Sequence, residues 1–89
     1  MGAFEVVLTK NAKKDVNKLS QQIARRIYKK LNYFVDSGDP LDFTERLTKP
    51  TDAQYRWRIG DYRVLFDCDE ISKTITVLKI QHRREVYKK

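Results

Sequence analysis

Tyr55-Arg56-Trp57-Arg58-Ile59-Gly60-Asp61-Tyr62-Arg63-Val64-Leu65-Phe66 carries the clearest structural signal in the chain. Tyr55, Trp57 and Ile59 alternate with Arg56 and Arg58, the period-two pattern of a strand with one apolar and one charged face. Gly60-Asp61 is a two-residue hairpin signal, and residues 62–68 supply the returning strand. A loop of that length sets the register: Ile59 opposite Tyr62, Arg58 opposite Arg63, Trp57 opposite Val64. Two guanidiniums then sit directly across the ladder from each other, which is destabilising unless something anionic lies between or above them.

Working outward, a polar turn over Asp69 to Lys73 leads into a third strand at 74–81. At the other end, residues 3–8 are β-branched and aromatic enough for a first strand, and the Thr9 hydroxyl can cap a short helix with Ala12, Val16 and Leu19 at helical spacing. Ser20 can cap a second helix, in which Ile23, Ile27, Leu31 and Phe34 or Val35 form one apolar stripe before Gly38-Asp39-Pro40 ends it. Residues 40–54 read as an irregular, acidic loop anchored by Leu41, Phe43 and Leu47. The order is β-α-α-β-β-β. It predicts one α+β domain over residues 1–89, with an antiparallel helical hairpin laid on a mainly antiparallel twisted sheet.

The chain has 89 residues, with 19 Lys and Arg against 12 Asp and Glu, a net charge of +7. At this length roughly 60–65% of the unfolded surface can be buried, which permits one modest core and excludes Rossmann or barrel enzymes. The 40% apolar and 35% charged residues are interspersed, which argues against disorder. Cys68 is the only cysteine and His82 the only histidine, so an internal disulfide is excluded and a Cys/His metal site is not expected. The N-terminus lacks a basic segment followed by an apolar one, and no stretch nears the roughly 20 apolar residues of a membrane span. A reducing cytoplasm is the expected location, without membrane attachment.

The charge is unevenly placed. Residues 10–30 hold eight bases against one acid, 31–54 two bases against five acids, and 55–89 nine bases against five acids. Lys13, Lys14, Arg25 and Arg26 on the helices would suit a polyanion and steer its association. Arg56, Arg58 and Arg63 have two readings. One is a solvated strand face whose arginines reach water or acids such as Asp61 and Asp67; the other is a clamp for phosphate or carboxylate, because guanidinium forks match those oxygens bidentately. A third strand ending at Ile80 or Gln81 would deliver His82, Arg83, Arg84 and Tyr87 near the sheet rim, beside Arg58 and Arg63. That set has the parts for metal-free RNA cleavage: a base for the 2′-hydroxyl, an acid for the 5′-oxygen, and cations for the charge developing at phosphorus. Imidazole is the side chain that titrates near neutrality, and Tyr87 or Glu45 could be tuned into range by neighbouring charges.

Residues 55–66, followed by His82-Arg83-Arg84-Glu85-Val86-Tyr87, resemble the RelE family of toxins from toxin–antitoxin modules, and the expected element order and basic helical hairpin agree with that family's fold. The resemblance implies a ribosome-dependent endoribonuclease that enters the ribosomal A site, cuts the mRNA codon there among the ribosomal RNA, needs no cofactor, and is neutralised by a cognate antitoxin. It further implies that Arg56, Arg58 and Arg63 hold and neutralise the scissile phosphate, that Arg83 stabilises the transition state, and that Tyr87 orients or deprotonates the 2′-hydroxyl. Arg83 is preferred to Arg84 because it lies nearer the strand and four residues before Tyr87. Some relatives use a glutamate base and a histidine acid, for which Glu45 and His82 are the counterparts. Others carry lysines where this chain has Arg56 and Arg58; an arginine does not give up its proton as a crowded lysine can, which speaks against a general-base role at those two positions.

Two other functions fit the same frame. ParE-type toxins share the fold and act on DNA gyrase without a nuclease site, and a basic RNA-binding module would follow phosphates without cutting them. An acidic, amphipathic antitoxin segment could cover the basic surface by wrapping the helices or adding to the sheet.

Overall fold

The computed structural model describes residues 4–37, 41, 44–46 and 53–82. Along the chain these form β1 (Glu5–Leu8), α1 (Lys10–Asn17), α2 (Gln21–Asp36), β2 (Thr44–Arg46), β3 (Tyr55–Ile59), β4 (Tyr62–Asp69) and β5 (Thr74–His82). The five strands make one sheet in the order β1-β5-β4-β3-β2; β1 runs parallel to β5 and every other pair is antiparallel. The expected α+β architecture is present. One expectation is corrected: the segment 40–54 contains the strand β2, which pairs with β3 at the sheet edge. Three residues are too few to show a period in the sequence, so this strand exists by borrowing the hydrogen-bonding edge of β3. Of the loop's three proposed anchors, Leu41 packs against the core, while Phe43 and Leu47 lie outside the described residues. So does the proposed Gly38-Asp39-Pro40 stop.

Both helices start on side-chain caps. The Thr9 and Ser20 hydroxyls each accept a hydrogen bond from the backbone N–H three residues on, at 3.2 Å, satisfying donors that a helix cannot pair internally. α2 ends at Asp36, where the Ser37 hydroxyl donates to the Phe34 carbonyl at 2.6 Å. The stripe read from its sequence is the face it buries: Ile27, Leu31, Phe34 and Val35 are all in the core and Ile23 packs at its margin. Ala12 is the fully buried residue of α1, and its small side chain lets that helix lie close.

The core fills the space between the helices and one sheet face. Trp57, Val64, Phe66, Ile75 and Val77 have no exposed surface, and the Trp57 ring stacks on Phe66 at 3.9 Å and on Phe34 at 5.0 Å between centroids. The β3–β4 hairpin has the register that its two-residue loop demands: Trp57 pairs with Val64, Arg58 with Arg63 and Ile59 with Tyr62. Gly60 begins the loop at φ +56°, a conformation in which a β-carbon costs about 1–2 kcal/mol. Gly60→Ala is therefore expected to lower the melting temperature by several degrees; an unshifted thermal transition would refute this turn geometry.

Two irregularities shape β5. Leu65 of β4 pairs with Lys79, but the next residue, Phe66, pairs with Val77, so Leu78 is an extra residue bulged out of the ladder. β1 meanwhile pairs only as far as Val77. Beyond it α1 takes over the edge: the Thr9 hydroxyl donates to the Leu78 carbonyl at 3.3 Å, and the Asp15 carboxylate accepts the Ile80 N–H at 2.9 Å. A side chain of the helix thus stands in for the missing strand.

Candidate functional site

The sheet face turned away from the helices carries the cations. Strand alternation puts Arg56 and Arg58 of β3 on it, with Arg63 of β4 directly opposite Arg58 and Gln81 of β5 opposite Arg63. A second row runs parallel to this one: Glu45 opposite Arg56, Arg56 opposite Leu65, Leu65 opposite Lys79. The three arginines differ in exposure. Arg58 is exposed, Arg56 is half-buried, and Arg63 is only 6% exposed, the one buried charged residue among those described. Arg63 sits on the central strand, flanked by ladders on both sides, so its guanidinium is largely shielded from solvent. A charge in such a place acts on its neighbours through less screening than one in water.

This arrangement suits an anion with more than one oxygen to offer. Arg58 and Arg63 are register partners in the ladder, and a phosphate placed over that face could take a charge-assisted contact from each guanidinium. Glu45, weighed from the sequence as an alternative base, stands opposite Arg56 in the β2–β3 ladder rather than in an irregular loop. Arg83, Arg84 and Tyr87 lie outside the described residues.

His82 departs from the expectation of a place beside Arg58 and Arg63: it is the partner of Tyr62, and their rings meet edge to face at 5.1 Å. Both belong to a groove of about 180 Å³ on the helix side, lined also by Ile23, Arg26, Ile27 and Ile59. The cause is the bulge at Leu78. Unbroken alternation from the buried Ile75 and Val77 would have turned Lys79 and Gln81 inward and His82 outward; the extra residue reverses all three and buries Ile80 instead. Lys79 and Gln81 are accordingly members of the cationic face that the sequence reading missed, and the signal for them would have been a second apolar residue, Leu78, interrupting the alternation.

The remaining basic candidates fall on the helices. Lys13 and Lys14 are exposed on α1; Arg25 and Arg26 are exposed on α2, where they border a groove with Gln21, Gln22 and Lys29. These helical cations lie on the layer opposite the strand arginines. Cys68 is half-buried, and burial together with Glu70 and Asp69 pushes its thiol up from the usual range, the reverse of what a reactive cysteine needs. Among the described residues no three His, Cys, Asp or Glu side chains come together as a metal site, and no helix is long and apolar enough to cross a membrane.

Solved structures with the same fold place this hairpin-on-sheet architecture among the RelE-like toxins of type II toxin–antitoxin systems. The RelBE2 toxin–antitoxin complex of Mycobacterium tuberculosis superposes with a TM-score of 0.79 at 26% identity, covering 92% of this chain and 100% of that one. An archaeal RelE–RelB complex from Pyrococcus horikoshii gives 0.73 at 27% identity, covering 92% and 97%. In sequence, Toxin RelG of Mycobacterium tuberculosis is 28% identical over 87 residues, 97% of this chain and 98% of that protein. Residues 6–87 match the family of ParE toxins of type II toxin–antitoxin systems (parDE), and the chain belongs to that family, within the RelE/ParE superfamily.

Proposed function

We propose that this toxin is a ribosome-dependent, metal-independent mRNA endoribonuclease that cuts codons in the A site and so inhibits translation in the cytoplasm. The observation that carries the reading is the Arg58–Arg63 pair, opposite each other in the ladder register with Arg63 buried. Similarity to RelG and to RelE structures supports it. In the reaction the 2′-oxygen attacks phosphorus in line and the bond to the 5′-oxygen breaks, leaving a 2′,3′-cyclic phosphate and a 5′-hydroxyl. Arg56, Arg58 and Arg63 bind the phosphate and offset the charge that grows on its oxygens. By the family resemblance, Arg83 adds to that stabilisation and Tyr87 orients or deprotonates the 2′-hydroxyl, with Glu45 as the alternative base. His82 lies on the helix side, away from the arginine face, so the departing 5′-oxygen takes its proton from solvent water. Lys13, Lys14, Arg25 and Arg26 bind RNA phosphates, with Lys13, Arg25 and Arg26 serving docking on ribosomal RNA.

The partner proposed for the resting state is a cognate antitoxin, since the structural relatives are toxin–antitoxin complexes. An acidic, amphipathic segment would complement a chain of net charge +7. The match to the parDE family favours a second reading, gyrase inhibition without nuclease activity. Induced expression separates them. The nuclease predicts growth arrest with cuts inside translated messages, mapped by primer extension, and these cuts should persist in His82→Gln. Intact messages with gyrase-dependent DNA damage would establish the second reading instead.

A further inference from the structure

The cationic sheet face does not stop at the arginines. Lys79 is exposed on β5, at the end of the row that starts from Arg56 and crosses Leu65. With strands about 4.8 Å apart, the Cα of Lys79 is roughly 10 Å from that of Arg56. Lys79 also borders a second feature, a groove of about 550 Å³ between α1 and β5. Lys14 and Lys18, one turn apart on the exposed side of the α1 end, line the same groove, and Thr9 and Asn11 supply polar groups. Its acid, Asp15, has one carboxylate oxygen committed to the Ile80 N–H. Leu78 is its only apolar lining residue.

We infer that this groove holds the RNA strand that leaves the cut site, with Lys79 as the bridge from the arginine face and Lys14 and Lys18 as the phosphate contacts beyond it. The inference rests on the nuclease reading above. The lining fits a phosphodiester chain: three lysines, with a hydroxyl and an amide that can meet ribose. It suits an amphipathic peptide poorly, because such a segment needs apolar pockets for its anchors and the groove offers a single leucine. The strand concerned is mRNA on the 3′ side of the cut.

Lys18 and Lys79 carry the test, as exposed residues whose conversion to glutamine keeps the side-chain length and spares the core. Binding of the full chain is measured by salt titration on ribosomes programmed with mRNA 2′-O-methylated at the A-site codon, which cannot be cut. One message extends past that codon and one ends at it. On the extended message Lys18→Gln/Lys79→Gln should bind roughly tenfold more weakly, with the slope of log affinity against log salt reduced by about 1.4, near 0.7 per lost phosphate contact on a single strand. On the message ending at the codon the two proteins should bind alike. Equal affinity and slope on the extended message overturn the inference. So does a penalty that persists on the short message, which would assign these lysines to ribosomal RNA. A parent chain that fails to bind programmed ribosomes overturns inference and nuclease reading together, whereas a penalty in the variant with a parent that leaves an unmodified message uncut overturns the nuclease reading and keeps the groove as an mRNA contact.

Discussion

Arg63→Met is expected to lower mRNA cleavage on programmed ribosomes by about 10²–10³-fold in kcat, the usual cost of removing one preorganised group that stabilises transition-state charge. Arg63 is only 6% exposed, so circular dichroism must first show that the variant is folded at the assay temperature. Arg63→Lys makes the comparison sharper, because it retains the charge and loses the planar fork; cleavage should fall here too, by less. Measured turnover within twofold of the parent in Arg63→Met would remove the arginine pair from the mechanism.

Trp57→Ala should have the largest effect on folding. The ring is fully buried, stacked at 3.9 Å on Phe66 and at 5.0 Å on Phe34, and so joins β3, β4 and α2. Truncating a buried aromatic of this size costs about 3–5 kcal/mol through lost transfer free energy and the cavity left behind. A chain of this length has about 5–13 kcal/mol of stability in total. At 4–8 °C per kcal/mol, the expected fall in melting temperature is at least about 12 °C. Circular dichroism is the suitable probe, because Trp57 is the sole tryptophan and the substitution removes the tryptophan emission. A drop of only a few degrees would mean that the core closes around the gap, and would contradict Trp57 as the centre of the packing.

The parts of the fold legible in the sequence are those governed by short-range rules. A two-residue loop at Gly60-Asp61 leaves one register open, so the opposition of Arg58 and Arg63 followed from counting residues. The stripe Ile23, Ile27, Leu31, Phe34 marked the buried side of α2 because helical periodicity persists over sixteen residues. What could not be read was set by partners distant in sequence. β2 is a strand because β3 offers an edge to it, and β1 is parallel to β5 because the helical hairpin carries the chain back to the same side. The bulge at Leu78 has no glycine or proline to announce it, yet it decides which of Lys79, Gln81 and His82 share a face with the arginines. The candidate site was thus readable at β3 and β4, where alternation is unbroken, and misread at β5, where one added residue changes the phase.

The hydrogen bond from the Ile80 N–H to the Asp15 carboxylate bears on how the molecule behaves in company. Beyond Val77, β5 would otherwise present an open row of backbone donors and acceptors, the template on which strands of neighbouring molecules pair into aggregates. A carboxylate inserted there satisfies one donor, and the Thr9 hydroxyl satisfies the Leu78 carbonyl beside it. An incoming strand would have to displace a helix to reach them. By closing this margin with side chains of its own, the toxin restricts cross-chain pairing at high local concentration, a safeguard against self-association built from one residue of a short helix and the residue that caps it.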